Sequence, residues 1–416
     1  REARPFFSRR IGIAEDIEGN NIQNKIIAGL RLSGNINEKL RIGLLNMQTG
    51  QDLENEIAAF NNSIFVIQQK VFGRSNFNVF AINRDATGNY NFLSNNDEFN
   101  RVIGLDYNLR GLDGKWSGKY YFHKSFSPEN NDDSVSYGFS TTYESRSFGL
   151  RIASSYIGHD FRSDLGFIRR TDVVKLYPEI SYTFWPEDSK LINHGFEITP
   201  VYVFKPGINN EISDYYIISR WDAVFRDSSR IDFTMWNRYT YLYESFDPTG
   251  SETGDPLPAN SGYYYTNFDF SFDSDDSKDF TYQINPSFGK FYNGEKTSID
   301  IKLNQKIRPK FTSSIEMKYD KVDLPEPYSS AKIFLIAPRI DFTFSKKVYW
   351  ATLVQYSNQN DNLSLNTRLQ WRFAPLSDLF LVYNDNYYTE NRYDSVFIPR
   401  VKSRSINIKI TYWLDI

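Results

Sequence analysis

The stretch "NFDFSFDSDD", residues 267–276, places Phe268, Phe270 and Phe272 at every second position, with Asn267, Asp269, Ser271 and Asp273 between them. Successive side chains of a strand point to opposite faces, so this segment presents one apolar face and one charged face. The two sides of such a sheet meet very different environments.

The same period recurs along the chain. Ile103, Leu105, Tyr107 and Leu109 oppose Gly104, Asp106, Asn108 and Arg110, and Trp116, Gly118, Tyr120 and Phe122 oppose Ser117, Lys119, Tyr121 and His123. Lys25–Ser33, Val135–Tyr143, Phe148–Tyr156, Val174–Phe184 and a long series ending in Ile406–Leu414 follow suit. These segments predict about 20 strands, within a range of about 18 to 22, with Ile64–Phe72 ambiguous. Most connections are short and rich in Asn, Asp, Gly and Ser, as hairpins require. Longer links fall at Gly50–Ala58, Thr87–Glu98, Ser127–Asp133, Asp160–Thr171, Asp247–Ser261, Val322–Ser330 and Tyr387–Arg400. Short turns at one end and long loops at the other are the pattern of an up-and-down membrane barrel. Pro178, Pro200, Pro286 and Pro338 sit inside strand patterns on the apolar face, where bulges are expected.

Composition agrees with a membrane barrel. Of 416 residues only 40% are hydrophobic, yet 17% are aromatic. No apolar run is long enough for a transmembrane helix, whereas a barrel strand needs only about 9 to 11 residues, half of them polar. The alternating segments run to about 9 to 13 residues, against about five or six in soluble strands. They carry rings near their ends, such as Trp371 and Phe373, or Tyr239, Tyr241 and Tyr243, which suits interfacial girdles. A soluble sandwich or propeller is the alternative, but no propeller-length repeat recurs. The expected fold is therefore all-β: a single closed antiparallel up-and-down transmembrane β-barrel, one domain over residues 1–416. Phe268, Phe270 and Phe272 face lipid, and Asn267 and Asp269 face a wet interior, because backbone groups in a bilayer must all be paired.

With 51 acidic and 48 basic residues the chain has no basic excess to suit a nucleic-acid partner. The absence of Cys removes disulfides and thiolate metal sites. The opening "REARPFFSRR" lacks the apolar core of a signal peptide, so an exported protein would carry its signal upstream.

Four passages resemble a known family: "RPFFSRRIG" (Arg4–Gly12), "IIAGLRLSG" (Ile26–Gly34), "IGLLNMQTG" (Ile42–Gly50) and "DLGFIRRTD" (Asp164–Asp172). They are similar to outer-membrane proteins of Bacteroidota in which a domain like family 9 carbohydrate-binding modules precedes a large barrel region of unknown function. The resemblance covers essentially the whole chain as that C-terminal barrel region. It implies an upstream carbohydrate-binding-like domain outside this sequence, the cell outer membrane of a Gram-negative bacterium as location, and a possible glycan ligand. It supplies no catalytic residues.

The chain offers little else for chemistry. His123, His159 and His194 are dispersed, and the acidic runs "DSDDSKD" (Asp273–Asp279) and "ENNDD" (Glu129–Asp133) lack calcium-loop spacing and read as solvated turns. No phosphate loop or nucleophile elbow is present, so no catalytic, cofactor-binding or metal residues are assigned, and no enzyme is expected. The strand phase turns Asp106, Arg110, Arg220, Asp222, Arg238, Asp300, Lys302, Arg339, Asp341, Arg368 and Arg372 inward, with both signs mixed. "DFRSDLGFIRRTDV" (Asp160–Val173) breaks the alternation and reads either as an ordinary loop packed on a rim or as a plug loop folded into the lumen, the latter burying Phe161 and Phe167 while Arg162, Asp164, Arg169 and Arg170 pair with the wall. Two functions are carried forward. One is a barrel that passes or binds a solute, glycan-related by the resemblance. The other is a non-transporting scaffold or accessory subunit of an envelope assembly or secretion complex. The expected partners are outer-membrane lipid and lipopolysaccharide, with other envelope proteins in the second case.

Overall fold

The computed structural model describes residues 3–129, 132–250, 254–359, 361–389 and 400–413. Asn130 and Asn131 of the "ENNDD" run, residues 251–253, Asn360, most of the Tyr387–Arg400 link and Leu414 lie outside the described residues. Among the described residues strands dominate, and the main sheet comprises twenty-two segments in the order of an up-and-down barrel, each beside its neighbours in the chain. That number falls inside the expected range. No helix among the described residues is long and apolar enough to cross a membrane.

The chain divides into two compact units. The first, residues up to Tyr182 with Thr199–Tyr215, contains an antiparallel ladder from Ile26–Asn35 through Leu40–Thr49, Phe60–Val71, Ser75–Ala86, Phe99–Arg110 and Trp116–Phe126 to Val135–Glu144 and Phe148–Ile157. Phe148–Ile157 then pairs with both Val173–Leu176 and Glu179–Phe184. These are halves of one strand, broken at Tyr177 and Pro178, where proline has no N–H for the ladder. In the second unit the ladder runs from Arg230–Leu242 and Ser261–Asp273 to Ser377–Tyr388 and Arg400–Thr411. Within each unit short turns such as 72–74, 145–147, 346–347 and 375–376 alternate with the long loops, so the two kinds occupy opposite ends. Exceptions are the turn Tyr292–Asn293 and the short connections 206–210 and 358–361, which lie at the long-loop end.

Pro286 and Pro338 do not bulge as expected. Pro286 faces Ile299 and Pro338 faces Ile315 in unshifted register, while on the other edge of each strand the paired positions skip over the proline and resume in phase. The missing N–H opens the ladder locally without adding a residue. Register shifts occur instead at Thr343/Ser345, Arg372/Ala374, Asn386/Tyr387 and Ile26/Ala28.

Cross-strand pairing shows why "NFDFSFD" alternates. On one face Ile231, Phe233 and Met235 oppose Phe272, Phe270 and Phe268, and Phe268 opposes Phe288. On the other face the Trp236 indole donates to Asp269 (2.7 Å) and the Ser271 hydroxyl donates to Asn285 (2.7 Å). Each face is thus stabilised by its own kind of neighbour pair. In the first unit Ile103, Leu105 and Phe122 are likewise exposed on one face, with Asp106, Lys119 and His123 on the other. Rings gather near the strand ends: Trp116 with Tyr143 (5.0 Å), Tyr239 with Tyr264 (4.5 Å), and Trp371 with Phe373 (5.8 Å).

Ser75–Ala86 escapes the alternation test, and Phe60–Val71 resolves as a full strand. Both carry apolar residues on both faces. Ile64, Val66, Phe80 and Ile82 lie on the polar side of the sheet, where a core cluster packs against them.

Candidate functional site

That cluster forms because the chain covers its own polar face. Ile157 and Val173 are paired neighbours in adjacent strands, and residues 158–172 between them fold back over the sheet. Gly158 permits the departure: its N–H donates to the Val135 carbonyl, and a Cβ there would sit 2.1 Å from the Asp133 carbonyl oxygen. Phe161 and Leu165 are buried to 2% exposure among Ile64, Ile82, Val102, Ile157 and Val173.

The N-terminal segment packs against this loop. Ala3–Arg4 pairs with Phe167–Ile168 as a small ladder. The Phe7 N–H donates to the Leu165 carbonyl (2.6 Å), the Ser163 hydroxyl donates to the Pro5 carbonyl (2.6 Å), and Ile11 joins the same core. Gly166 is needed where the two pieces meet, since a Cβ would approach the Arg4 carbonyl oxygen to 2.3 Å.

Polar contacts fix the loop to the strands beneath it. Asn100 clamps the loop backbone, accepting from the Asp164 N–H (3.0 Å) and donating to the Arg162 carbonyl (3.2 Å). An ion chain runs from Arg84, stacked over the Phe60 ring at 3.4 Å, to Asp164 (2.9 Å), Arg162 (2.6 Å) and Asp97 (2.5 Å). Burial pushes the Asp97 carboxyl up, but hydrogen bonds from Arg162 and Ser94 and the Arg162 charge prevail and hold it below its ordinary value. Burial also opposes the Arg162 charge, yet Asp164 and Asp97 together raise its pKa. At the far end of the loop Arg170 pairs with Asp214 (2.5 Å), and Asp172 accepts from the Gly207 N–H (2.9 Å).

Of the loop residues singled out in the sequence, Phe161 is buried in the core and Arg162, Asp164 and Arg170 are ion-paired, whereas Phe167 and Arg169 are placed otherwise. Phe167 is 45% exposed, because it lies in the edge ladder with Arg4 and Leu165 takes the core position. Arg169 is exposed and is paired with no wall carboxylate among the described residues.

Beneath Arg4, Pro5 and Phe6 the polar face holds a half-open cavity of about 1070 Å³. Asp106 and Arg110, both expected to point inward, line it together with Lys119, His123, Arg151 and Lys175. Asp106 is held by Lys119 (2.9 Å) and by the His123 Nε2 (2.8 Å). Arg151 donates to the Ser140 hydroxyl (3.1 Å) and lies 5.0 Å from the Tyr177 ring. Sequence reasoning missed Lys119, Arg151 and Lys175 as a set, although the strand phase places each on this face. It also missed the N-terminal segment, whose signal is the two-sided apolar strands it packs on.

The remaining inward candidates lie on the polar face of the second unit and are largely knitted together. Arg220 pairs with Asp232, with Asp222 two residues along the same strand. Asp300 pairs with Lys318 (3.1 Å), Arg339 with Asp341 (2.7 Å) and Arg372 with Asp378 (3.2 Å). Arg238 lies 4.3 Å from the Trp236 ring, Lys302 stands opposite Glu316, and Arg368 stands between Ala351 and Val382. Each histidine has its own neighbour: His123 meets Asp106, His159 meets Asp160, and His194 stacks on Phe184.

Comparison with known proteins gives a family and a fold. The family described as Domain of unknown function (DUF5916) matches residues 2–330. No curated protein matches the chain. Among solved structures the chain is similar to the siderophore receptor PirA from Pseudomonas aeruginosa, at 10% identity and a TM-score of 0.55, covering 93% of this chain and 78% of that one. It is also similar to the copper transporter OprC (9% identity, TM-score 0.46, 93% and 72% covered). A third is the ferric-catecholate import receptor Fiu from E. coli K12 (8% identity, TM-score 0.42, 92% and 72% covered). The likeness to PirA establishes a shared fold, a large antiparallel β-barrel.

Proposed function

The chain belongs to the family Domain of unknown function (DUF5916), and from that premise we propose that it is an outer-membrane β-barrel which binds a solute and passes it when a two-part plug moves. The observation that carries this reading is the plug of residues 3–11 and 158–172, packed on the polar wall with a cavity left beneath it. A barrel of this size encloses an interior that must be filled or wet. Here part of it is filled by segments held through ion pairs and hydrogen bonds, which can be exchanged for water at lower cost than an all-apolar core. The structural likeness to a siderophore receptor supports the same reading.

Within this reading the barrel is one domain over residues 1–416 in the outer membrane of a Gram-negative bacterium, bedded in lipid and lipopolysaccharide. The solute is glycan-related, in keeping with the carbohydrate-binding-like domain that the sequence resemblance implies. A non-transporting scaffold is the second reading, and the firm packing of Phe161 and Leu165 favours it.

Liposome swelling separates the two. Vesicles carrying the intact protein are expected to swell in a tetrasaccharide solution faster than protein-free vesicles, with a rate that saturates as sugar concentration rises. A scaffold would leave the rate at the protein-free level, whatever the size of the sugar.

A further inference from the structure

On the outward face of the first unit a polar row crosses four strands in register. Asn46 opposes Ser63, Ser63 opposes Asn83, and Asn83 opposes Arg101. The Asn46 amide donates to the Ser63 hydroxyl (2.7 Å), and the Arg101 Nε donates to Asn83 (2.9 Å). At the next outward position of each strand the face turns apolar, with Leu44, Phe65, Ala81 and Ile103. The row therefore marks one edge of the lipid-facing band, on the long-loop side.

In the other direction the band runs out early. Phe65 to Val71 and Ile103 to Leu109 rise only about 16 Å along the membrane normal, for strands of about 3.4 Å per residue tilted by about 40°. An outer-membrane barrel presents an apolar band about 25 Å tall. The missing height lies in the hairpin tips. Ile36, Phe72 and Leu112 occupy three successive short turns of this unit and are 61%, 75% and 77% exposed. A Cβ on Gly73 would come 2.9 Å from the Leu112 Cδ2, so the turns of Phe72 and Leu112 adjoin. Phe72 also sits at a φ of +48°, a left-handed position that Gly, Asn or Asp takes readily and a phenylalanine does not. Turn chemistry alone would not choose Phe there. Leu376 repeats the signature within the second unit, exposed at a φ of +55° in the turn 375–376. Around the three tips of the first unit stand Lys39, Lys70, Arg74 and Lys115, against Glu38 and Asp113. All four cations are exposed, and none has a side-chain partner among the described residues.

We propose that these tips are a docking surface for an anionic phospholipid leaflet, with Ile36, Phe72 and Leu112 sunk among the acyl chains and Lys39, Lys70, Arg74 and Lys115 at the headgroup phosphates. Short turns of such barrels face the periplasm, and that side of the outer membrane is built of phospholipid. Apolar tips that would be a liability in water are buried there. Lys and Arg lay their stems along apolar surface while their charges reach the phosphates. The surface continues the lipid-facing band, so the leaflet that covers the band covers the tips as well. The inference rests on the membrane-barrel part of the reading above and not on solute passage.

The test exploits the absence of native cysteine. Phe72→Cys and Leu112→Cys are spin-labelled and reconstituted in vesicles of phosphatidylcholine with phosphatidylglycerol. Leu105→Cys in the band and Asn89→Cys in a long loop serve as references. The ratio of collisions with oxygen to collisions with a water-soluble nickel chelate is expected to be about fivefold or more above that of Asn89→Cys at both tips, approaching Leu105→Cys. Spin-labelled phosphatidylglycerol is expected to associate with the parent about twofold or more above spin-labelled phosphatidylcholine, and the combined variant Lys39→Gln, Lys70→Gln, Arg74→Gln and Lys115→Gln to lose half or more of that preference. Heat-modifiable gel mobility checks that each variant is folded. Tip labels as open to nickel as Asn89→Cys, equal association of the two lipids, or a preference unchanged by the four substitutions would each overturn the proposal. A lipid-shielded Leu105→Cys beside water-exposed tips would leave the barrel reading standing. A water-exposed Leu105→Cys would remove both.

Discussion

Replacing residues 158–172 by a four-residue Asn-Gly-containing turn is expected to convert a protein that stays shut in a planar bilayer, or opens only briefly, into one that conducts steadily. The exchange is geometrically open because Ile157 and Val173 are already paired across neighbouring strands, so a tight hairpin turn can join them. It removes Phe161 and Leu165 from the core, each worth about 2 to 3 kcal/mol of burial. It also strips the N-terminal segment of its ladder at Phe167–Ile168 and of the hydrogen bonds from Phe7 and to Pro5. With neither half anchored, the polar wall around Asn100, Arg84 and Asp106 meets water. Single-channel recording checks this, and a correctly assembled variant as silent as the parent would mean that something else closes the barrel.

Asp164→Ala should act almost as strongly through a single side chain. Asp164 joins Arg84 to Arg162, and its removal leaves the poorly exposed Arg84 guanidinium facing Phe60 without a counter-charge. Breaking one partner of such a pair costs about 3 to 5 kcal/mol, because the remaining charge is stranded. The plug bears that loss, since the strands on either side keep their ladders, so frequent openings are expected with little change in barrel stability. Acid should mimic the effect. The Asp97 carboxyl is held below its ordinary value, so its contribution is complete above about pH 4 and is lost as pH falls through its lowered pKa. Openings that rise only below about pH 4 in the parent are therefore expected, and pH-independent openings would separate Asp97 from the plug.

The strands away from the plug were legible in the sequence because lipid and water impose opposite demands on alternate residues. Phe268, Phe270 and Phe272 against Asn267 and Asp269 is that demand in its plainest form. Alternation fails where a third environment intervenes. Ser75–Ala86 carries Phe77, Val79 and Ala81 toward lipid and Phe80 and Ile82 toward the plug, so no period of two survives. A barrel strand that is apolar on both faces is thus a signal for interior packing, and Ile64–Ile67 gives the same sign. The plug loop was visible as an interruption, but its partner was not, because nothing in "RPFFSRRIG" states that Pro5 and Phe7 will meet Leu165. The four passages that carry the family resemblance gather in one place. Two form the plug, and the other two supply the strands Ile26–Asn35 and Leu40–Thr49, whose Met47 and Leu45 pack against it. The prolines misled because proline was expected to bend the ladder, whereas an unfilled donor position beside Pro286 and Pro338 suffices.

If the plug covers the inner wall, Val102 is shielded from water-soluble reagents. Val102 is fully buried on the polar face beneath Phe161 and Leu165, and the chain has no other cysteine to confuse a label. In a Val102→Cys variant reconstituted in liposomes, a small water-soluble maleimide is predicted to leave the intact protein unlabelled over a period in which Asn108→Cys, in the cavity wall, reacts. The same cysteine should label readily once residues 158–172 are replaced. Equal labelling of Val102→Cys with and without the loop would contradict the account.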